Sequence, residues 1–93
     1  MRIVESTGQF KRDYKRESKG FHRTTLDDLL FPAIELLAND LPLPNNYRDH
    51  ALAGQWSDFR DCHLKPDLVL IYFLAGSDVL RLVRLGSHSQ LGL

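Results

Sequence analysis

The side chains in this chain best suited to acid–base chemistry are its four histidines, His22, His50, His63 and His88. Histidine is the side chain whose ordinary pKa lies near neutral pH, so a pair of histidines can act as general base and general acid. The last three lie in the second half of the chain, where arginines and aspartates accompany them. Such a group could cleave a phosphodiester bond, with the arginines stabilising the charged transition state.

Strand alternation limits which of these residues can share a groove. In a strand through this region, Asp61 and His63 point to one side, while Arg60 and Cys62 point to the other. If His63 faces an open side, Arg60 is buried or reaches around an edge. Its carboxylate partner stays open among Asp49, Asp61 and Asp67. Cys62 is then predicted to be a small buried hydrophobe and not a nucleophile.

The loop after the last predicted strand decides whether His88 can join the group. Arg84 lies near the end of that strand, and Leu85-Gly86-Ser87 separates it from His88. A glycine there lets the backbone turn, so His88 could be brought towards His63.

Structural roles compete with the catalytic interpretation. A single histidine in a small domain is usually a surface or hydrogen-bonded residue, and Arg60 and Arg84 are as compatible with ion pairs to nearby carboxylates as with catalysis. Zinc is the rival chemistry, because a set of side chains carries suitable ligand atoms: His50, His63, Asp67 and His88. The helical His-x-x-x-His spacing is absent and Cys62 is a lone cysteine, so we predict no metal and no cofactor.

Composition predicts one ordinary folded domain spanning residues 1–93, with 43% hydrophobic and 26% charged residues. The single cysteine and the lack of a secretory signal favour the cytoplasm. The apolar run at 68–75 is too short to cross a bilayer as a helix.

The formal net charge is zero, which gives no support to nucleic-acid binding. The charges are unevenly spread, however, since residues 1–19 contain six Lys or Arg and three Asp or Glu. A basic first helix carrying Lys11 and Lys15 is therefore predicted, and a solvated surface is as good an interpretation of it as phosphate contact.

The first half of the chain predicts one strand and two helices. The strand covers residues 2–5, and the first helix covers 9–18, capped by Ser6 or Thr7 and closed by Gly20 in a left-handed turn. The second helix runs from about 24 to 39, with a capping box formed by Thr25 and Asp28. Pro32 predicts a kink or interruption within it.

The second half predicts three strands at 57–64, 67–74 and 78–85, after an extended linker at 41–46. Their short connections favour an antiparallel meander, and the middle run is apolar on both faces like a central covered strand. The whole order predicts an α+β fold in which a two-helix hairpin packs on one face of a twisted antiparallel sheet. The opposite face is left to do chemistry.

Several motifs, in order and with familiar spacing from Leu41 to about Leu91, resemble those of YafQ-type toxins in the RelE/ParE superfamily. They are Arg48-Asp49-His50, Gly54-Gln55-Trp56, Phe59-Arg60-Asp61-Cys62-His63, Pro66-Asp67, Leu70-Ile71-Tyr72 and Arg84-Leu85-Gly86-Ser87-His88. The resemblance implies a compact α+β ribonuclease that enters the ribosomal A site and cleaves the bound messenger RNA. It also implies silencing by a co-expressed antitoxin of the DinJ or RelB kind.

Carried over residue by residue, the resemblance implies a catalytic set of His50, His63, Asp67 and His88, with Arg84 stabilising the phosphate. Five further cations are candidate RNA contacts: Arg48, Arg60, Lys65, Lys11 and Lys15. The implied reaction is attack by the ribose 2′-hydroxyl on the adjacent phosphate, without metal or cofactor.

A non-enzymatic module on the same scaffold is the alternative. It would either act on another target, as gyrase-directed ParE relatives do, or only bind an antitoxin. In either case we expect a partner chain to add a helix or strand across the basic first helix or the sheet edge and to bury part of the active groove.

Overall fold

The computed structural model describes all 93 residues and has an α+β fold, as predicted. In chain order its elements are β1 (Ile3–Ser6), α1 (Gly8–Glu17), α2 (Leu26–Ala38), β2 (His50–Ala51), β3 (Arg60–Lys65), β4 (Leu68–Ala75), β5 (Val79–Gly86) and α3 (His88–Leu91). Single 3-10 turns lie before β2 and β3. No helix has the length and apolar character needed to cross a bilayer.

The five strands form one sheet in the order β1-β5-β4-β3-β2. The predicted meander is confirmed, because β3, β4 and β5 are antiparallel neighbours and β4 is central. One pairing departs from the antiparallel arrangement, since β1 pairs with β5 in parallel. The physical reason is that the chain leaves β1 through both helices, and a parallel neighbour requires such a long crossover.

Both long helices pack on one face of the sheet, where alternate residues of β4 meet them. Leu68, Leu70 and Tyr72 belong to this main core, while Val69 and Ile71 point to the other face. That second face is not left open as expected. A smaller apolar cluster covers it, built from Leu91 of α3 and from the partly buried Leu52, Trp56, Phe59 and Val83.

The caps at the helix ends agree only in part with those predicted from the sequence. Thr7 caps α1, its Oγ1 accepting a hydrogen bond from the Phe10 N–H at 3.0 Å. The predicted capping box at Thr25 is wrong, because its side chain makes no cap hydrogen bond. The left-handed turn at Gly20 is also wrong, since α1 ends in a right-handed turn at Ser18 with a φ of −67°.

Helix α2 continues through Pro32, so the predicted interruption does not occur. Pro32 is exposed, whereas Leu30 and Ala33 beside it are buried in the core. Proline leaves the carbonyl of Asp28 without its helical donor, but at an exposed position that carbonyl remains accessible to water. Packing of the buried stripe thus holds the helix together.

Candidate active site

Three imidazole rings from separate parts of the second half of the chain meet in a row. The Nε2 atoms of His63 and His88 are 3.2 Å apart, and their ring centroids are separated by 5.2 Å. The ring of His50 stacks on the other side of His63 at a centroid distance of 6.2 Å. His22, by contrast, lies on the loop between α1 and α2. The convergence expected for the other three is therefore present.

Sheet register brings these rings together. His50 opens β2 and pairs directly with Asp61 of β3, and His63 lies two residues further along the same face of that strand. His63 and Gly86 flank the same residue of β4, so the end of β5 arrives level with His63. His88 follows as the first residue of α3.

Gly86 occupies a crowded position and does not make an unusual turn. A Cβ atom at this position would lie 2.8 Å from both the Arg16 Nη2 and the Gln90 Oε1. Its φ is not positive, so the expectation that glycine supplies a special backbone turn is wrong. The next residue, Ser87, forms a capping box with Gln90 that holds α3 and therefore His88.

Asp67, in the turn between β3 and β4, holds His88 by two hydrogen bonds. Its Oδ1 accepts from the His88 backbone N–H at 2.9 Å and from the ring Nδ1 at 2.6 Å. These bonds, the backbone one first, lower the pKa of Asp67, so the carboxylate stays ionised. With Nδ1 donating to Asp67, the Nε2 of His88 is directed at His63.

Asp61 is a buried carboxylate that the sequence analysis did not assign to the site. It is 2% exposed, and its Oδ1 lies 3.0 Å from the Nδ1 of His50. That ring N–H donates instead to the carbonyl oxygen of Arg48 at 2.8 Å, which leaves Asp61 Oδ1 without a donor. Burial raises the pKa of Asp61, and the three histidines partly oppose the rise. Strand alternation had placed Asp61 on the same side as His63, and this pattern could have identified Asp61 as a residue of the site.

Arg60 lies on the other side of β3, as its parity required. Its Nη2 is 3.3 Å from Asp49 Oδ2 and its Nε is 3.4 Å from the Tyr72 hydroxyl. Asp49 is thus its partner among the three carboxylates considered. Arg60, one of the five candidate RNA contacts, therefore lies on the helical side of the sheet and not on the face that carries His63.

Arg84 is held by Asp13 of α1, a fully buried carboxylate that sequence reasoning missed. Its Nε donates to Asp13 Oδ2 at 2.7 Å, and the backbone N–H of Leu85 donates to the same oxygen at 3.0 Å. Burial alone would raise the pKa of Asp13, but the hydrogen bonds from Arg84 and Leu85 outweigh it and lower the pKa. No sequence pattern distinguished Asp13 from other charged residues of α1.

A cleft of about 510 Å³ opens beside the His63–His88 pair. Arg48 and Lys65 line it, both exposed and neither in an ion pair. Lys11 instead lines grooves beside β1, at the opposite edge of the sheet from β2. Lys15 lies one turn further along α1. The structure therefore brings two of the five candidate RNA contacts to the histidines.

Cys62 has no place in this chemistry. It is fully buried in the main core, and burial raises its pKa to about 12. The prediction that it is a buried hydrophobe is confirmed.

Comparisons with known proteins agree with this fold. The chain is 39% identical over 90 residues to the mRNA interferase toxin YafQ of Escherichia coli K12, covering 97% of this chain and 95% of that protein. The crystal structure of the E. coli DinJ-YafQ complex matches with a TM-score of 0.84 at 40% identity, over 98% of both chains. That of a metal-bound toxin from Helicobacter pylori matches with a TM-score of 0.86 at 44% identity, over 98% of this chain and 99% of that chain.

A family model described as the YafQ bacterial toxin of type II toxin-antitoxin systems matches residues 2–92. The fold, the histidine row and these matches define a toxin of a bacterial type II toxin-antitoxin system. The chain belongs to the YafQ family of such toxins.

The metal-bound relative prompts the question whether this site fits an ion. The two Nε2 atoms of His63 and His88 supply two ligand atoms, but no group of three or more His, Cys, Asp or Glu side chains is arranged to hold a metal. A closed site needs about four ligands. The two facing nitrogens fall short of such a ligand set, and no catalytic step is assigned to an ion.

Proposed function

We propose that this toxin is an endoribonuclease that cleaves messenger RNA in the ribosomal A site by metal-independent acid–base catalysis. The observation that carries the proposal is the facing pair of Nε2 atoms on His63 and His88, with Asp67 holding the far side of His88. The name of the E. coli relative, mRNA interferase toxin, supports the same activity.

The reaction needs one base and one acid. A histidine removes the proton of the ribose 2′-hydroxyl, whose oxygen attacks the adjacent phosphorus. The bond from phosphorus to the 5′-oxygen breaks, and a second histidine protonates that oxygen. The products are a 2′,3′-cyclic phosphate and a 5′-hydroxyl end, and the proton count balances because one proton is taken and one is given.

Asp67 makes His88 the general acid in this proposal. Its ionised carboxylate, 2.6 Å from Nδ1, stabilises a positive charge on the ring, so His88 is the proton donor. His63 is the general base, because its buried Nδ1 has no partner to stabilise a charged ring before the reaction. After cleavage the proton can pass from His63 back to His88 across 3.2 Å and restore the pair.

The remaining residues of the site position the RNA and neutralise its phosphate charge. His50 stacks beside His63, where it serves as a second base or orients the ribose. Arg48 and Lys65 contact the phosphates in the cleft. Arg84 stabilises the pentavalent phosphate through the guanidinium nitrogen that is not engaged by Asp13.

A cognate antitoxin is proposed as the partner that silences this activity. The support is the structure of the E. coli relative, which was crystallised with DinJ.

The test is expression of His63→Gln and His88→Gln variants in bacteria, with primer extension on messenger RNA. The parent should arrest growth and create new 5′ ends inside reading frames, and each variant should lose at least about 100-fold of the cleavage rate. Glu35→Gln, at an exposed helical residue, serves as the control. Variants that stay toxic would refute the assignment.

Purified components test the finer claims. Cleavage should require ribosomes programmed with messenger and should continue in excess EDTA. Growth arrest by the parent without any new RNA ends would instead favour a non-enzymatic toxin on this scaffold.

A further inference from the structure

The loop between α1 and α2, residues 18–25, presents an aromatic ring to water. Phe21 is 91% exposed, far more than Phe31 at 52%, the other exposed phenylalanine. Its ring meets that of His22 edge to face at a centroid distance of 5.1 Å. The Phe21 side chain is not part of the main hydrophobic core. Packing therefore does not account for an aromatic residue at this position.

Two basic residues flank Phe21 in the sequence. Lys19 and Arg23 are exposed and take part in no ion pair. The nearest acids along the chain are already engaged, since Glu17 pairs with Arg16 at 3.0 Å and Asp27 accepts a hydrogen bond from the Tyr14 hydroxyl at 2.5 Å. An exposed ring between unpaired cations suits single-stranded RNA, whose bases stack on aromatics and whose phosphates need positive charge.

The helices at both ends of the loop contact the candidate active site. At the end of α1, Arg16 donates to the Leu85 carbonyl at 2.8 Å and reaches Gln90, two residues after His88. At the start of α2, Leu29 lines the cleft that contains His63 and His88. After the hydrogen bonds from His88, the charge of His22 also helps to lower the pKa of Asp67.

We infer that this loop is a second RNA contact, in which Phe21 stacks on an unpaired messenger base near the scissile phosphate while Lys19 and Arg23 hold the adjoining phosphates. The inference rests on the proposed function, because the strand must already lie in the histidine cleft.

The probe is a short single-stranded RNA with a 2′-deoxy residue at the scissile position, which binds but cannot be cut. Fluorescence anisotropy with the full chain should show Phe21→Ala weakening binding about 5- to 100-fold, the range expected for loss of one stacked base. Phe21→Trp should restore binding. Phe31→Ala, which removes an exposed phenylalanine elsewhere, should bind like the parent.

Cleavage on programmed ribosomes provides the second readout. Phe21→Ala should raise KM and leave kcat unchanged, because the ring touches no reacting atom. Equal binding by Phe21→Ala and the parent would overturn the inference, as would equal weakening by Phe31→Ala. An effect seen only with ribosomes and not with the oligonucleotide would also overturn it, since the base would then belong to ribosomal RNA.

Failure of the loop contact can be distinguished from failure of the proposed nuclease function. If the parent binds the RNA through Phe21 but never cleaves, the nuclease proposal fails on its own. If the parent cleaves and Phe21→Ala behaves identically, only the loop contact fails.

Discussion

At the scale of single residues, the two carboxylates beside the histidines differ in burial, hydrogen bonding and pKa. Asp67 is exposed, accepts two hydrogen bonds from His88 through Oδ1 and has a lowered pKa. Asp61 is buried, lacks a donor on Oδ1 and has a raised pKa. The first orients a ring at little cost to stability, whereas the second keeps a negative charge where the fold would prefer a neutral group.

Replacing Asp61 with asparagine should therefore stabilise the fold and impair the enzyme. The raised pKa means that the ionised form is disfavoured in the folded state, so Asp61→Asn should raise Tm at neutral pH. The gain should fade as the pH drops and vanish below about 3.8, where the carboxyl is protonated in both states.

The activity of Asp61→Asn should fall about tenfold or more, because the positive charge that His63 gains when it accepts the 2′-hydroxyl proton loses a nearby negative charge. The titratable groups facing Asp61 are His50, His63, His88 and Asp49. Because Asp61→Asn removes a negative charge beside the general base, the acid limb of the pH–rate profile should move to lower pH. Asp58→Asn, at an exposed and unpaired position, is the matched control. An unchanged profile together with a lower Tm would contradict this role for Asp61.

At the scale of secondary-structure elements, α1 holds the active end of β5. Asp13 accepts hydrogen bonds from Arg84, from the Leu85 backbone and from Arg16, and Arg16 in turn bonds the Leu85 carbonyl. These contacts fix the strand just before the turn to His88. The helix thus acts on the site although it contributes no histidine.

Asp13→Asn should destabilise the protein by about 3 kcal/mol at neutral pH, because it leaves Arg84 partly buried without its counter-charge. The low pKa of Asp13 means that its stabilisation is complete above about pH 3.8 and is lost at more acidic pH. The difference from the parent, measured by denaturant unfolding, should therefore shrink in acid.

The matched control is Asp28→Asn, since Asp28 is exposed and unpaired in α2. A deficit for Asp13→Asn that is constant from pH 3 to pH 7 would show that the carboxylate charge is not what links α1 to β5.

At the scale of the whole molecule, an apolar groove lies apart from the cleft beside the histidines, and the two share no lining residue. An apolar groove between β1 and the helices is lined by Val4, Phe10, Tyr14, Phe31 and Ile34, among others. Beside it, β1 is an edge strand with Ile3 67% exposed. Such a groove next to a free strand edge suits a partner that adds a helix or strand.

Phe31→Glu should weaken neutralisation by the cognate antitoxin while leaving toxicity intact, because a charge would have to be buried in the groove. Growth rescue by co-expressed antitoxin and co-purification of the two chains measure the effect. Phe21→Ala, on the loop near the histidines, should be neutralised normally. If Phe31→Glu is silenced as well as the parent, the antitoxin docks elsewhere.

Local pattern was enough to predict much of this molecule. Short-range periodicity predicted the helix pair and the meander, and strand alternation placed His63 opposite Arg60 and Cys62. Ordered motifs indicated the family and the histidine set. These features depend on neighbours a few residues apart, which is the range that a sequence pattern reports.

Only the tertiary structure decided the rest. The parallel β1, the unbroken helix at Pro32, the cramped position of Gly86, and the roles of Asp13 and Asp61 all arise from contacts between distant segments. Burial turns an ordinary aspartate into an anchor or a charged neighbour of a histidine, and burial depends on how the layers close. The sequence alone determined which rings were available, and the packing of the sheet decided that the Nε2 atoms of two of them lie 3.2 Å apart.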